Sequence, residues 1–159
     1  MATATVHSVR SAPPLAFAAI GAGAAYFAAT FLVGFAVGYV RETFVAPFIT
    51  SDLAVVVETP LMAFVVWRLA RAVVGWVGEG AVAWVRLVIG AVGLALLVAS
   101  EDLLSRLMRG ESVFQHWGWM GYLAATATFA GLAWMFFAPL RAGRPHMPRR
   151  EQVSLRDVA

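Results

Sequence analysis

The chain contains no cysteine, which excludes disulfides, thiolate metal sites, iron–sulfur clusters and cysteine nucleophiles together. Lysine is missing as well. All 12 basic residues are arginine, which we read as genomic bias and not as chemistry. Charge of either sign is scarce: charged residues make up 13% of the 159 positions and hydrophobic residues 61%. Ordinary soluble domains have about 25% and 45–50%. So few charges cannot cover a compact soluble fold, and the composition predicts a membrane protein.

Histidine is nearly absent from the apolar stretches. His7 and His146 lie in tails and His116 at a helix entrance, so bis-histidine haem ligation and histidine-cluster iron or zinc sites are not expected. No phosphate-binding loop, G-x-S-x-G elbow or H-E-x-x-H occurs. Intramembrane proteolysis would need a Ser–His or paired-Asp arrangement within a span, and none is found. We therefore expect no enzymatic activity, no cofactor and no metal.

What the chain does have is length without charge. Residues 11–40 and 112–140 carry no Asp, Glu, Lys or Arg, and each run exceeds the ~20 residues that cross a hydrocarbon core of about 30 Å. Two weaker apolar runs lie between them, 53–74 interrupted by Glu58 and 81–104 interrupted by Arg86. Their apolar residues cover nearly every helical face, which a soluble amphipathic helix does not do. Gly75-Trp76-Val77-Gly78-Glu79-Gly80 supplies turn chemistry between them. The expected fold is an all-α membrane protein, a four-transmembrane-helix bundle over 13–140, with helices near 15–40, 53–74, 81–104 and 117–138. Residues 1–12 form an N-terminal segment and 141–159 a basic tail. The first apolar run is too long for a signal-peptide core of 7–15 residues and reads as an uncleaved span.

Orientation follows from arginine placement. With four helices, both termini and the central turn share a side, which collects Arg10, Arg68, Arg71, Arg86 and Arg141, Arg144, Arg149, Arg150 and Arg156. The other side has Arg41, Arg106 and Arg109. The positive-inside rule places both termini in the cytoplasm of a bacterial inner-membrane protein. The segment from Pro139 on, with Pro145, Pro148 and five Arg, is expected to be disordered and held loosely against anionic lipid. Without interleaved aromatics it is not expected to bind nucleic acid.

Small residues mark where helices meet. Gly34-Phe35-Ala36-Val37-Gly38 is a G-x-x-x-G motif that allows close backbone approach, either within one bundle or between two copies. Gly90 and Gly93 in the third helix, with Gly118 and Gly121 opening the fourth, offer further flat faces. Trp76 and Trp84 flank the cytoplasmic turn and Trp117 and Trp119 the start of the fourth helix, the places of interfacial anchors.

Ionisable residues at membrane depth cost about 2.5–3.5 kcal/mol and need a partner, a water-filled cavity or a function. Glu58-Thr59-Pro60 forms a polar notch, because Pro60 removes a backbone donor and frees a carbonyl near Val56. Arg41 closes the first helix on the same side, and Glu101-Asp102 lie toward the same end of the third. One Arg and three carboxylates are thus expected to converge there. They would form either a buried Arg41–Glu58 or Arg41–Glu101 pair that fixes helix register, or a proton or cation site on Glu58. Arg86, Gly90, Gly93, Leu97 and Glu101 share one stripe of the third helix, expected to pack against the second. Arg86 is expected to snorkel to the headgroups.

The run from Gly34 to Arg41, then Pro47, then Glu58-Thr59-Pro60-Leu61-Met62, looks like a pattern in small bacterial inner-membrane proteins of four helices with no assigned function. The likeness spans roughly residues 30 to 110. It implies the four-helix architecture and directs attention to Arg41, Glu58 and Pro60. Two functions remain open. One is a non-catalytic accessory, assembly or regulatory subunit that packs against another membrane complex. The other is a small homo-oligomeric proton- or cation-coupled transporter or channel using Glu58. No inverted repeat supports the second.

Overall fold

The computed structural model describes residues 13–45, 47–78 and 81–143; most of the segments 1–12 and 141–159 lies outside them. Among the described residues the chain is all-helical. Helix α1 spans Pro13–Val40 and continues into a π-helical turn at Arg41–Val45. Helix α2 spans Ser51–Val77, α3 Ala83–Arg109, the short α4 Val113–Trp119, and α5 Tyr122–Ala142. Helices α1 with its π turn, α2, α3 and α5 are long and apolar enough to cross a membrane.

Local chemistry sets the ends. Thr50 caps α2, its hydroxyl accepting from the Leu53 amide, and Asp52 sits in the first turn where the helix dipole favours it. Gly78 ends α2 with φ +121° and Gly110 ends α3 with φ +75°, left-handed backbone that glycine adopts without strain. A capping box then starts α4: the Ser112 hydroxyl accepts from the Gln115 amide, and the Gln115 side chain accepts from the Ser112 amide. At its other end Met120 and Gly121, both in extended backbone, separate α4 from the last span. Trp117, Gly118 and Trp119 therefore belong to α4, and the last span runs from Tyr122 through Pro139 to Ala142, not over 117–138.

The four long helices form a ring in which α1 lies beside α3 and α2, and α5 beside α2 and α3. Helices α2 and α3, consecutive in the chain, face each other across the bundle. The glycine stripe of α3 accordingly packs against α5 and α1, not against α2. A Cβ on Gly90 would overlap the Phe136 carbonyl of α5, and one on Gly93 would lie 2.8 Å from Tyr26 Cδ1 of α1. A Cβ on Gly34 would lie 3.5 Å from Met62 Cε of α2, whereas one on Gly38 would meet open space.

The tightest packing fills the half nearer Arg86. Ala19, Ala22 and Tyr26 of α1, Val66, Ala70 and Val74 of α2, Val85 and Ile89 of α3, and Met135 and Ala138 of α5 form one buried cluster. Pro139 sits inside α5 and has no amide to donate to the carbonyl four residues back, that of Met135. The Tyr26 hydroxyl donates to that carbonyl at 3.2 Å. Arg86 does not extend outward; its Nη1 donates to the Leu140 carbonyl at 3.1 Å, satisfying one of the orphan acceptors at the end of α5. Tyr26→Phe is expected to destabilise the bundle by about 1–3 kcal/mol, the cost of an unpaired buried acceptor. In a Pro139→Ala background, which restores the helical donor, the same change should cost clearly less. Denaturant unfolding of the four variants measures the difference.

Candidate functional site

Toward the opposite end, the helices part around a cavity of about 400 Å³. Its walls come from every element: Thr30 of α1, Arg41 of the π turn, Glu58 and Thr59 of α2, Glu101 and Ser105 of α3, Trp117 of α4, and Thr128 and Trp134 of α5. Exposed Met108 and His116 lie at its mouth, while Met135 and Thr30 meet the buried cluster beneath.

Arg41 is positioned by the widened last turn of α1. Its Nη1 donates to Glu58 Oε2 at 3.1 Å, and its Nη2 to Glu42 Oε1 at 2.9 Å. The Arg41 and Glu58 side chains are 27% and 17% exposed, against 60% for Glu42. The guanidinium is thus divided between a half-buried and a solvated carboxylate, its bonds charge-assisted on both sides. The Thr59 hydroxyl turns away from Glu58 and donates to the Val55 carbonyl at 2.8 Å. Beside the proline break, Thr59 returns a bond to its own helix and offers the cavity only its lone pairs.

The two carboxylates of α3 have different fates. Asp102 does not join Arg41: it accepts from Arg106 Nε at 2.8 Å and from the Val113 amide at 3.0 Å, tying the start of α4 to α3. Glu101, about 100° around the helix from its neighbour, lines the cavity and has no hydrogen bond or ion pair among the described residues. The expected convergence of one Arg and three carboxylates becomes Arg41, Glu58 and Glu101, with Glu42 in place of Asp102.

Several contributors escape sequence reasoning. Thr30 is 4% exposed, and its Oγ1 has no hydrogen-bond partner. Ser105 Oγ is likewise buried and unpartnered. Ser105 follows Glu101 by one helical turn, a spacing that would have grouped them. Thr30 lies in an unbroken apolar run and offers no such signal. Arg109 approaches His116 at the mouth, Nη1 to Nδ1 3.2 Å, and α4 itself was hidden inside the last uncharged stretch. Trp134 closes one wall, its Nε1 donating to the Ala63 carbonyl at 2.9 Å.

No group of three or more His, Asp or Glu side chains gathers at metal-binding distance among the described residues. Arg41 is the only guanidinium bonded to a cavity carboxylate there. The arrangement can hold a polar guest by one free carboxylate and aromatic walls. Comparison with models of known protein families, with curated proteins and with solved structures yields no match.

Proposed function

We propose that the protein is a non-catalytic, multi-pass inner-membrane protein with both termini in the cytoplasm, acting as an accessory or regulatory subunit of another membrane complex. The observation that carries this reading is the one-sidedness of its cavity. It opens at the Arg41 end and stops at the buried cluster of Tyr26, Ile89 and Met135. A conduit needs a continuous path; a subunit that holds or senses a guest needs only a pocket. The exposed shaft supports lipid contact, since Phe17, Leu32, Phe35, Leu61, Phe64, Leu103 and Phe129 would form an excessive apolar surface in water. The arginine asymmetry supports the orientation, with the cavity opening outward.

A second reading, a homo-oligomeric proton- or cation-coupled transporter, draws support from the carboxylates Glu58 and Glu101 on the cavity wall. It needs a second copy to complete a path through the Arg86 half. Native mass spectrometry of the tagged protein, extracted gently from its host membrane, separates the two. The expected result is a stoichiometric foreign subunit, recovered again when that subunit carries the tag. A clean homo-oligomer whose pH-dependent flux in proteoliposomes is lost in Glu58→Gln would replace this reading by the second.

A further inference from the structure

The cavity is too large and too apolar for a bare ion. Its 400 Å³ falls in the range of small-molecule sites, which are mostly apolar with a few placed polar groups. Arg41 is paired with Glu58 and Glu42, while Arg109, exposed at the mouth, keeps its charge and only a hydrogen bond to His116. Deeper in, Glu101 has no partner among the described residues, so the uncommitted charge away from the mouth is negative. Thr30, buried to 4% exposure with an unpartnered Oγ1, borders the same space, as does Ser105, its Oγ also unpartnered. Both oxygens lie behind the wall, out of reach of a guest, so the polar contact open to one is the Glu101 carboxylate. Trp117 and Trp134 supply aromatic walls, and an aromatic face attracts a cation that has lost its water.

We propose that this cavity is a binding site for a small organic ammonium ion, its charged nitrogen beside Glu101 and its apolar body against Trp117 and Trp134. Glu101 provides the counter-charge, while the Arg41–Glu58–Glu42 set is fixed framework. An anion would meet the unpaired carboxylate, and an alkali-metal ion would leave most of the volume and both indoles unused. The site builds on the one-sided pocket used above, but it is tested on the isolated chain and does not depend on a partner subunit.

The test is calorimetric titration of the full-length protein in detergent with methylammonium and tetramethylammonium chloride. Sodium and potassium chloride at equal ionic strength, and neopentyl alcohol as a neutral body of similar size, serve as comparisons. Saturable binding of an ammonium probe is expected, with Glu101→Gln weakening it about tenfold or more. Glu111→Gln, on an exposed side chain outside the cavity, should leave it unchanged. If Glu101→Gln fails to fold, Trp117→Leu removes one aromatic wall and should weaken tetramethylammonium binding several-fold. No saturable heat with either ammonium probe overturns the proposal. So does equal binding to Glu101→Gln, an equal response to neopentyl alcohol, or saturation by sodium or potassium alone.

Discussion

Gly90→Ala is expected to be the most damaging single-methyl change in the bundle, costing about 2 kcal/mol or more. A Cβ there meets the carbonyl of Phe136, a backbone atom that no rotamer change can move aside. Helices α3 and α5 would have to separate, which loosens the neighbouring Arg86–Leu140 bond and the packing of Gly93 against Met135 on the same seam. Overpacking of this kind typically costs about 1–3 kcal/mol and sometimes more. The intrinsic preference of alanine over glycine in a helix returns at most about 1 kcal/mol, so the steric effect wins. Gly75→Ala is the matched control, because nothing lies within 4 Å of a Cβ at Gly75 in α2; it should be neutral or mildly stabilising. Unfolding in mixed micelles measures both. If the two variants are equally stable, α3 and α5 do not approach as closely as described.

Arg41→Leu is expected to destabilise more than Glu58→Leu, by about 2–3 kcal/mol against about 1–2. Removing one member of a fully buried pair costs about 3–5 kcal/mol, and partial exposure of this one reduces that. The asymmetry comes from Glu42. When Glu58 is lost, Arg41 retains Glu42 at 2.9 Å. When Arg41 is lost, Glu58 is left half-buried with no partner, while Glu42 is solvated. The double variant Arg41→Leu, Glu58→Leu should recover most of the loss, since apolar packing often replaces a buried pair at little cost. A favourable coupling of about 1–3 kcal/mol between the two sites is expected from the cycle. Purely additive effects would mean that the pair does not hold the helices in register, and Glu58 would return as an ion-bearing candidate.

The polar site was partly legible in the chain. Arg41, Glu58 and Glu101 announce themselves because a charge inside an apolar run is conspicuous wherever it points. Asp102 was grouped with them by proximity in sequence, yet one step along a helix turns a side chain by about 100°, enough to send it to Arg106 and α4. Glu42 stands next to Arg41 but was overlooked because it falls past the apolar run. Ser105 could have been found from its one-turn spacing to Glu101, but Thr30 was invisible, as small hydroxyls are common in apolar helices and only burial without a partner sets it apart.

By itself the sequence determined the number of long helices, their approximate bounds and the end of the bundle at which charge collects. Each is a local property: a segment's length without charge, a proline or a glycine can be read in place. The tertiary structure alone decided the order of the ring, with α2 across from α3, and so which faces the glycines of α3 present to α5 and α1. It alone decided that Tyr26 answers the acceptor left by Pro139, and that Glu101 faces a cavity while Asp102 does not. In a soluble helix the contrast between apolar and polar faces marks which side turns inward. Here the outside is as apolar as the inside, that contrast is gone, and only packing can tell one face from another.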